Sequence, residues 1–323
     1  MNIIKASNFI NNSVISVIIP SYNRHNIVSE AIDSILNQIC NVNFEIIIGD
    51  DSSNNDTRNI LLEYQKIYPQ KIKLIFHEKN IGLAANWATC VKQCNGKYVA
   101  NCDNDDYWHN PNKLQLQFDF MEANYEYGLV HTDYRKHNRV SGKITEEKAA
   151  NSLILNEPLQ QAVMNGSFKC CNATVMYRKE VIDKYINLDD YIDKQFTLQD
   201  WNTWVILAAY TPFYCLPLST ATFGIETESI TRPKNLNQLE ERFRKERECY
   251  KYICDLFPQD FPYIKANYDE YINYSLLNLA YKNKNFLKAK EYSSKLKSKS
   301  LKQKIAQHKI FFDLFCQLKE FRR

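Results

Sequence analysis

The chain has 323 residues, 45% hydrophobic and 24% charged, with only 7 Gly and 9 Pro; this composition specifies an ordered globular protein with one large domain and room for a smaller appendage. No run approaches the ~18–20 apolar residues that span a bilayer, and the N-terminus shows no basic-then-apolar leader, so a cytoplasmic location is expected. The net charge of +4 is uneven: from Lys282 to Arg323, 13 Lys or Arg stand against Glu291, Asp313 and Glu320, which gives that stretch +10 and the remainder −6.

Residues 1–13 read as a polar lead-in. Ser16–Pro20 is a continuous apolar strand, as expected where both faces of a parallel sheet are covered, and Pro20, Ser21, Tyr22 and Asn23 break it into a loop. Ile27, Val28, Ala31, Ile32, Ile35, Leu36 and Ile39 recur at three- and four-residue steps, one face of an amphipathic helix. Phe44–Ile48 is a second strand, ending in Gly49, Asp50, Asp51 and Ser52. Asp56 or Thr57 is the expected cap of a helix carrying Ile60, Leu61, Tyr64 and Ile67. Lys71–Phe76 is a third strand, and Leu83, Trp87, Val91 and Cys94 mark a third helix that stops at Asn95-Gly96. The fourth strand, Tyr98–Ala100, runs into Asp103, Asp105 and Asp106.

After Pro111 a helix with Leu114, Phe118 and Met121 precedes a strand at Leu129–Tyr134. Residues 135–158 are polar and expected to be loop-rich. A strand follows near Ala173–Tyr177, a short helix at Val181, a helix at Trp201–Tyr210, and two closing strands at Phe213–Leu216 and Thr220–Gly224. From about Pro233 the pattern turns to Lys- and Glu-rich helices. Tyr274, Leu277 and Tyr281 pair with Leu287–Leu296 across a turn at Asn283–Asn285, and a last helix sets Leu301, Ile305, His308, Phe312 and Phe315 on one stripe. The 10 cysteines show no zinc-ligand spacing and read as reduced, mostly buried thiols.

Strand and helix alternate as in a doubly wound, mostly parallel sheet, where ligands bind outside the carboxyl ends of the strands. Pro20–Asn23, Asp50–Ser52 and Asp103–Asp106 all fall at such ends. Three carboxylates within four residues repel one another and raise one another's pKa, which a cation would relieve. An acidic surface turn is one reading; the other is Mg²⁺ or Mn²⁺ held by one or two carboxylates together with the phosphates of a nucleotide diphosphate.

The ordered set SVIIPSYNR, IIIGDDSSNNDT, a D-x-D-D after NGKYVANC, and a downstream LQDW resembles the inverting glycosyltransferases of family 2, over roughly Val14–Thr231. The resemblance implies an α/β GT-A (Rossmann-like) fold: a mostly parallel sheet flanked by helices over residues 14–232, with a nucleotide-sugar half (14–134) and an acceptor half (135–232). An all-helical, basic C-terminal appendage (233–323) would follow. It implies donor-binding roles for Pro20, Tyr22, Asn23, Asp50, Asp51, Asn86, Asp103, Asn104 and Asp106, with Asp51 on the base of the nucleotide and Asp50 supporting its loop. Asp105, with Asp103, would hold Mn²⁺ or Mg²⁺, and Asp200 would be the catalytic base. Gln199 departs from the usual Glu of an E-D pair, Ser52 stands where Gly is common, and Asn55 where a second Asp is frequent.

The chemistry wants the same groups: a cation to offset charge on a departing diphosphate, and one base to take the acceptor hydroxyl's proton for inversion. As a structural residue, Asp200 would instead cap the helix that follows it. Asn80, Gly82 and Asn86 read equally as donor contacts or as a turn and cap. Trp87 and His131 read as core, Lys169 as surface, and Arg232 as a residue able to reach a diphosphate. The expected activity is transfer of a sugar from a nucleotide diphosphate sugar, a uridine diphosphate sugar in the first instance, to a glycan or lipid-linked glycan hydroxyl. The resemblance places this in bacterial surface polysaccharide synthesis, such as capsule or lipopolysaccharide. The alternative is a non-catalytic glycan or lipid-linked-glycan binding protein on the same fold. The lack of G-x-G-x-x-G after the first strand weighs against a dehydrogenase, and the missing Gly-rich basic loop weighs against a nucleotidyltransferase. The basic tail reads either as a solvated helical face or as a contact with an anionic leaflet on the cytoplasmic face of a membrane. Its lysines lack the pattern of a nucleic-acid module, so no nucleic-acid partner is expected.

Overall fold

The computed structural model describes residues 1–6, 9, 12–149, 157–194, 196–226, 235–261 and 265–297. The chain divides into two units, Met1–Thr227 and Glu228–Arg323.

The first unit is built on a ten-stranded mixed sheet. Its first half comprises β1 (Asn2–Ile4), β2 (Ile15–Ser21), α1 (Val28–Leu36), β3 (Phe44–Asp50), α2 (Asn55–Ile67), β4 (Ile72–Phe76), α3 (Leu83–Lys92), β5 (Tyr98–Asn101), β6 (Tyr107–Trp108) and α4 (Lys113–Ala123). The second half comprises β7 (Leu129–Asn138), β8 (Lys143–Glu147), α5 (Leu159–Asn165), a 3-10 turn (Asn172–Thr174), β9 (Met176–Arg178), α6 (Lys179–Tyr185), α7 (Leu188–Lys194), α8 (Gln199–Ala208) and β10 (Phe213–Ile225). The strand order is β1-β4-β3-β2-β5-β9-β7-β10-β6, with β8 on β7. β4, β3, β2 and β5 are mutually parallel, and β7 is parallel to β10. β9 joins the two parallel sets by antiparallel pairing on both sides.

Every residue of β2 and β3 is buried, which is why Val17–Pro20 and Ile46–Ile48 read as apolar runs, interrupted near their starts by Ser16 and Glu45, which bond to each other. The chain moves from β2 to β3 and β4 on one side, then crosses to β5 on the other. The carboxyl ends of β2 and β5 therefore flank the topological switch point, where open α/β sheets form their ligand crevice. At the opposite end of the sheet, buried Glu45 accepts from Ser16 Oγ (2.6 Å) and the Asn95 amide (2.7 Å), which fixes the turn that starts β5.

Several elements differ from the sequence expectation. α1 ends at Leu36 and Ile39 is 66% exposed. Gln38 stops the helix by donating to Asn110 O (2.9 Å) and accepting from Leu114 N (3.0 Å), which turns the chain toward α4. The cap of α2 is Asn54, accepting from Thr57 N, rather than Asp56 or Thr57. The polar stretch after Tyr134 is a hairpin: β7 continues to Asn138 and β8 returns, with Arg135–Glu146 and Lys136–Glu147 ion pairs across it. The two closing strands are one, β10, whose pairing with β7 shifts register between Leu216 and Ser219; Pro217 sits in that shift, where its missing N–H costs no ladder bond.

The second unit contains α9 (Leu236–Leu256), α10 (Lys265–Lys282) and α11 (Phe286–Ser294). Phe243, Leu277, Ala280, Tyr281, Ala289 and Tyr292 lie in its core. The hairpin turn between α10 and α11 places Lys284 at φ 52° and caps α11 with Asn285, which accepts from Lys288 N. The helix expected over Leu301–Phe315 lies outside the described residues. No described helix is long and apolar enough to cross a membrane.

Candidate active site

The β2 end supplies Ser21, Tyr22 and Asn23. Pro20 lies inside β2, buried and opposite Gly49, while Tyr22 is 46% exposed at the crevice. Asn23 adopts φ 50°, a left-handed conformation that Asn tolerates, and is held by Asn23 N donating to Ser53 Oγ (2.9 Å) and Asn54 N donating to Asn23 Oδ1 (2.8 Å).

The β3 end supplies two aspartates with different partners. Asp50 is fully buried and accepts from Arg58 Nε (2.8 Å) and Ser53 N (3.1 Å), so it ties the loop to α2. Asp51 receives the backbone amides of Ile81 (2.6 Å) and Gly82 (2.9 Å), one on each oxygen, at the entrance to α3. Burial raises its pKa and those two amides oppose the rise. Asn80 and Gly82 are thereby drawn to Asp51, with Asn80 Nδ2 donating to Asp51 O (3.3 Å).

Asn86 faces inward, against the expectation of a donor contact. Its Nδ2 donates to Gly49 O (2.7 Å), its Oδ1 pairs with His77 Nε2 (3.2 Å), and it is 1% exposed. Close packing requires the glycine here, since a Cβ on Gly49 would lie 2.2 Å from Asn86 Oδ1.

The β5 end carries the acidic loop. Asn104 Nδ2 donates to Ser21 Oγ (3.2 Å), joining the two strand ends that flank the switch point. Asp103 receives Asn172 Nδ2 on both oxygens (3.1 and 3.1 Å). Burial, then the charges of Asp105 and Asp200, push its carboxyl up to about 7, and Asn172 opposes them. Asp105 faces Arg24 Nη2 at 3.7 Å; burial raises its pKa and Arg24 works against the rise. Asp106 is 1% exposed and accepts from Gly224 N (2.9 Å) through Oδ1, while its Oδ2 has no hydrogen-bond partner among the described residues. Burial and the charges of Asp105 and Asp103 hold the Asp106 carboxyl far above its ordinary range.

Two residues that the sequence reading did not single out secure this loop. Arg139 donates to Asp105 O (3.1 Å) and ion-pairs with Glu30 (2.5 Å) and Glu226 (2.9 Å), bringing α1, the end of β7 and the end of β10 to one point. Gly224 lets β10 approach so closely that a Cβ there would sit 2.1 Å from Asp105 O, a backbone atom that cannot swing aside. Gly224→Ala is therefore expected to destabilise the protein by about 1–3 kcal/mol and to weaken ligand binding at the acidic loop, as checked by urea unfolding and calorimetry. No motif in one sequence signals either residue, because each acts only through strand pairing.

Asp200 lies in the first turn of α8, whose cap position is Leu198, and Asp200 Oδ1 accepts from Trp201 N (2.8 Å). Burial raises its pKa, and its charge is the smallest of the influences that raise that of Asp103. Gln199 is buried with its Nε2 unpartnered among the described residues; a Glu there would add a further buried carboxylate beside Asp200. Trp201 Nε1 donates to Val163 O (3.1 Å) and Trp204 Nε1 to Tyr177 Oη (2.9 Å), so both indoles hold α8 in place. His131 is buried against Phe168, and Trp87 is core. Lys169 is exposed and Arg232 lies outside the described residues.

The profile of the family described as Glycosyl transferase family 2 matches residues 16–186, more than half of the chain. The chain belongs to glycosyltransferase family 2. The matched span carries the β2, β3 and β5 strand ends and Asn172. Among relatives of this family 2 chain, the putative teichuronic acid biosynthesis glycosyltransferase TuaG of Bacillus subtilis is 38% identical over 108 residues, 33% of this chain and 42% of TuaG. The chain thus spans under half of that relative, and about a third of mycobacterial relatives. The fold is GT-A: Staphylococcus aureus TarS 1–349, solved in complex with UDP-GlcNAc, superposes with a TM-score of 0.56 at 18% identity, over 95% of this chain and 90% of TarS. The mannosyltransferase PcManGT of Pyrobaculum calidifontis, in complex with GDP-Man and Mn²⁺, gives 0.51 at 14% identity, over 96% and 87%.

Proposed function

We propose that the protein is a metal-dependent inverting glycosyltransferase that moves a sugar from a nucleotide diphosphate sugar, most simply a uridine diphosphate sugar, to a hydroxyl of a glycan or lipid-linked glycan. Synthesis of a bacterial surface polysaccharide is the setting that TuaG supports. Contact of the basic stretch after Lys282 with an anionic membrane leaflet belongs to the same proposal. The observation that carries the reading is the gathering of Asp103, Asp105 and Asp106 at the carboxyl end of β5, beside the switch point of the sheet, with the charge of Asp200 among those that raise the pKa of Asp103.

The acidic loop fits a divalent ion. Among the described residues no three His, Cys, Asp or Glu side chains are arranged to enclose a metal alone. Mg²⁺ and Mn²⁺ do not need such a cage, because they accept one or two carboxylates and complete their shell with water and phosphate oxygens. Asp105 and Asp103 are half-buried, the charge of Asp105 raises the pKa of Asp103, and the pair is placed to gain from a cation. When bound, the ion would offset the charge that develops on the departing diphosphate.

This chain's residues would do the rest. Each Asp51 oxygen keeps a second lone pair for an N–H of the base. Tyr22 and Asn23 line the nucleotide side, Asp50 and Asn86 brace the loops beneath it, and Asp106 and Asn104 fix the acidic loop on β10 and β2. Asp200 would take the proton from the acceptor hydroxyl as it attacks the sugar from the face opposite the diphosphate. Calorimetric titration of uridine, guanosine, cytidine and thymidine diphosphates, with and without Mn²⁺, tests the proposal. One nucleotide is expected to bind in a Mn²⁺-dependent way, with affinity reduced at least about tenfold in Asp105→Ala. If none binds to the folded wild type, a non-catalytic glycan-binding role replaces this one.

A further inference from the structure

We propose that Trp87, Asn101 and Asn172 form a directional hydrogen-bond relay that positions the Asp103 carboxylate for the donor complex, a role that rests on the reading of Asp103 given above. The three residues come from separate places: Trp87 from α3, Asn101 from the end of β5, and Asn172 from the 3-10 turn before β9. Trp87 Nε1 donates to Asn101 Oδ1 (3.4 Å), Asn101 Nδ2 donates to Asn172 Oδ1 (2.7 Å), and Asn172 Nδ2 donates to Asp103 Oδ1 and Oδ2 (3.1 and 3.1 Å).

The direction of this chain follows from donor inventory. An indole N–H can only donate and an ionised carboxylate can only accept, so with Asp103 ionised the two ends permit one arrangement of the amides between them. With the indole facing Asn101 Oδ1, the Asn101 NH₂ must face Asn172, and the Asn172 NH₂ must then face Asp103. Turning either amide over would oppose donor to donor at one link and oxygen to oxygen at another. Trp87 and Asn101 are fully buried, so water cannot repair a reversed link. The relay thus transmits a fixed polarity from the core of α3 to the acidic loop.

What it does to Asp103 follows from the equal distances. An amide nitrogen equidistant from both oxygens lies in the plane that bisects the carboxylate and holds both oxygens at once. The Asn172 amide thereby fixes the rotation of the carboxylate that an incoming ligand meets. The Asn172 side chain spends its oxygen on Asn101 and its nitrogen on Asp103. It acts through Asp103, as a positioning residue, and the spacing of Asn101 and Asn172 in sequence, 71 residues, hides the pairing.

The full chain labelled with ¹⁵N-asparagine tests this, with Asn172→Ala used to assign the Asn172 side-chain amide. That signal is expected to shift in both Trp87→Phe and Asp103→Asn, with no ligand present. In calorimetry, Asn172→Ala and the isosteric Asn172→Asp, which removes the donor, are expected to weaken Mn²⁺-dependent binding of the nucleoside diphosphate by on the order of 10–100-fold, as for other groups that orient metal ligands. Binding without Mn²⁺ should be unchanged, an outcome that a general packing defect would not produce. An amide signal indifferent to Trp87 and Asp103 overturns the relay whether or not a nucleotide binds. A responsive signal with unaltered Mn²⁺-dependent affinity overturns the positioning role. Failure of the donor reading shows separately, as absence of nucleotide binding by the wild type, and removes the donor role of the relay with it.

Discussion

Asp200→Asn is expected to slow sugar transfer by about 10²–10⁴-fold, the usual contribution of a positioned proton acceptor, while the Mn²⁺-dependent affinity for the nucleoside diphosphate stays near that of the wild type. The variant suits the question because Asn is isosteric and its Oδ1 can still accept from Trp201 N, so the first turn of α8 keeps its geometry. Only proton uptake is removed. Burial raises the Asp200 carboxyl, which makes it a stronger base than an exposed aspartate and brings its titration closer to neutrality. The wild-type rate should accordingly rise with pH as this group loses its proton, and that limb should vanish from the residual activity of the variant. Rate–pH profiles with donor at saturation would show it. Undiminished transfer by Asp200→Asn would remove the base assignment.

The sequence marks what depends on local pattern and hides what depends on pairing. β2, β3 and β5 are legible because a strand covered on both faces is mostly apolar, and their polar ends are legible because a loop must follow. β8 is not legible: it is exposed along most of its length and is held to β7 by the ladder and by charge pairs that look like a polar loop. β10 reads as two strands because Pro217 interrupts it, although the register shift absorbs the proline. Within the site, Asp103, Asp105, Asp106 and Asp200 stand out through charge crowding and motif order. The direction of Asn86 depends on the depth of α3 against Gly49, and the parts played by Gly224, Arg139 and Asn172 depend on which segments the sheet brings together.

Lys113→Met is expected to stabilise the protein, by about 2 kcal/mol at pH 6, and the advantage should shrink as pH rises toward 9. Lys113 begins α4 and is 0% exposed. Its Nζ donates to Gln117 Oε1 (2.6 Å) and lies 4.2 Å from the centre of the Trp108 ring, with the Cys102 and Cys171 thiols as the nearby ionisable groups. Among the described residues no carboxylate pairs with it, and burial pushes its pKa down to about 7. An unfolded lysine titrates near ~10.4, so between about 7 and 10 the unfolded chain binds more protons than the folded one, and stability rises with pH across that window. Below about 7 both states are charged and the full penalty remains, up to about 5 kcal/mol for a shift of this size. Methionine has no such penalty and a similar shape, but it leaves Gln117 Oε1 without a donor and gives up the contact between cation and ring, together about 1–3 kcal/mol. Gln117 stays anchored through Nε2, which donates to Thr174 O (2.7 Å). Urea unfolding of both proteins at pH 6, 7, 8 and 9 separates these terms: the wild-type curve should climb toward that of Lys113→Met. Parallel curves would instead mean that Lys113 stays protonated in the folded protein, its charge balanced across Cys102 by the neighbouring acidic loop.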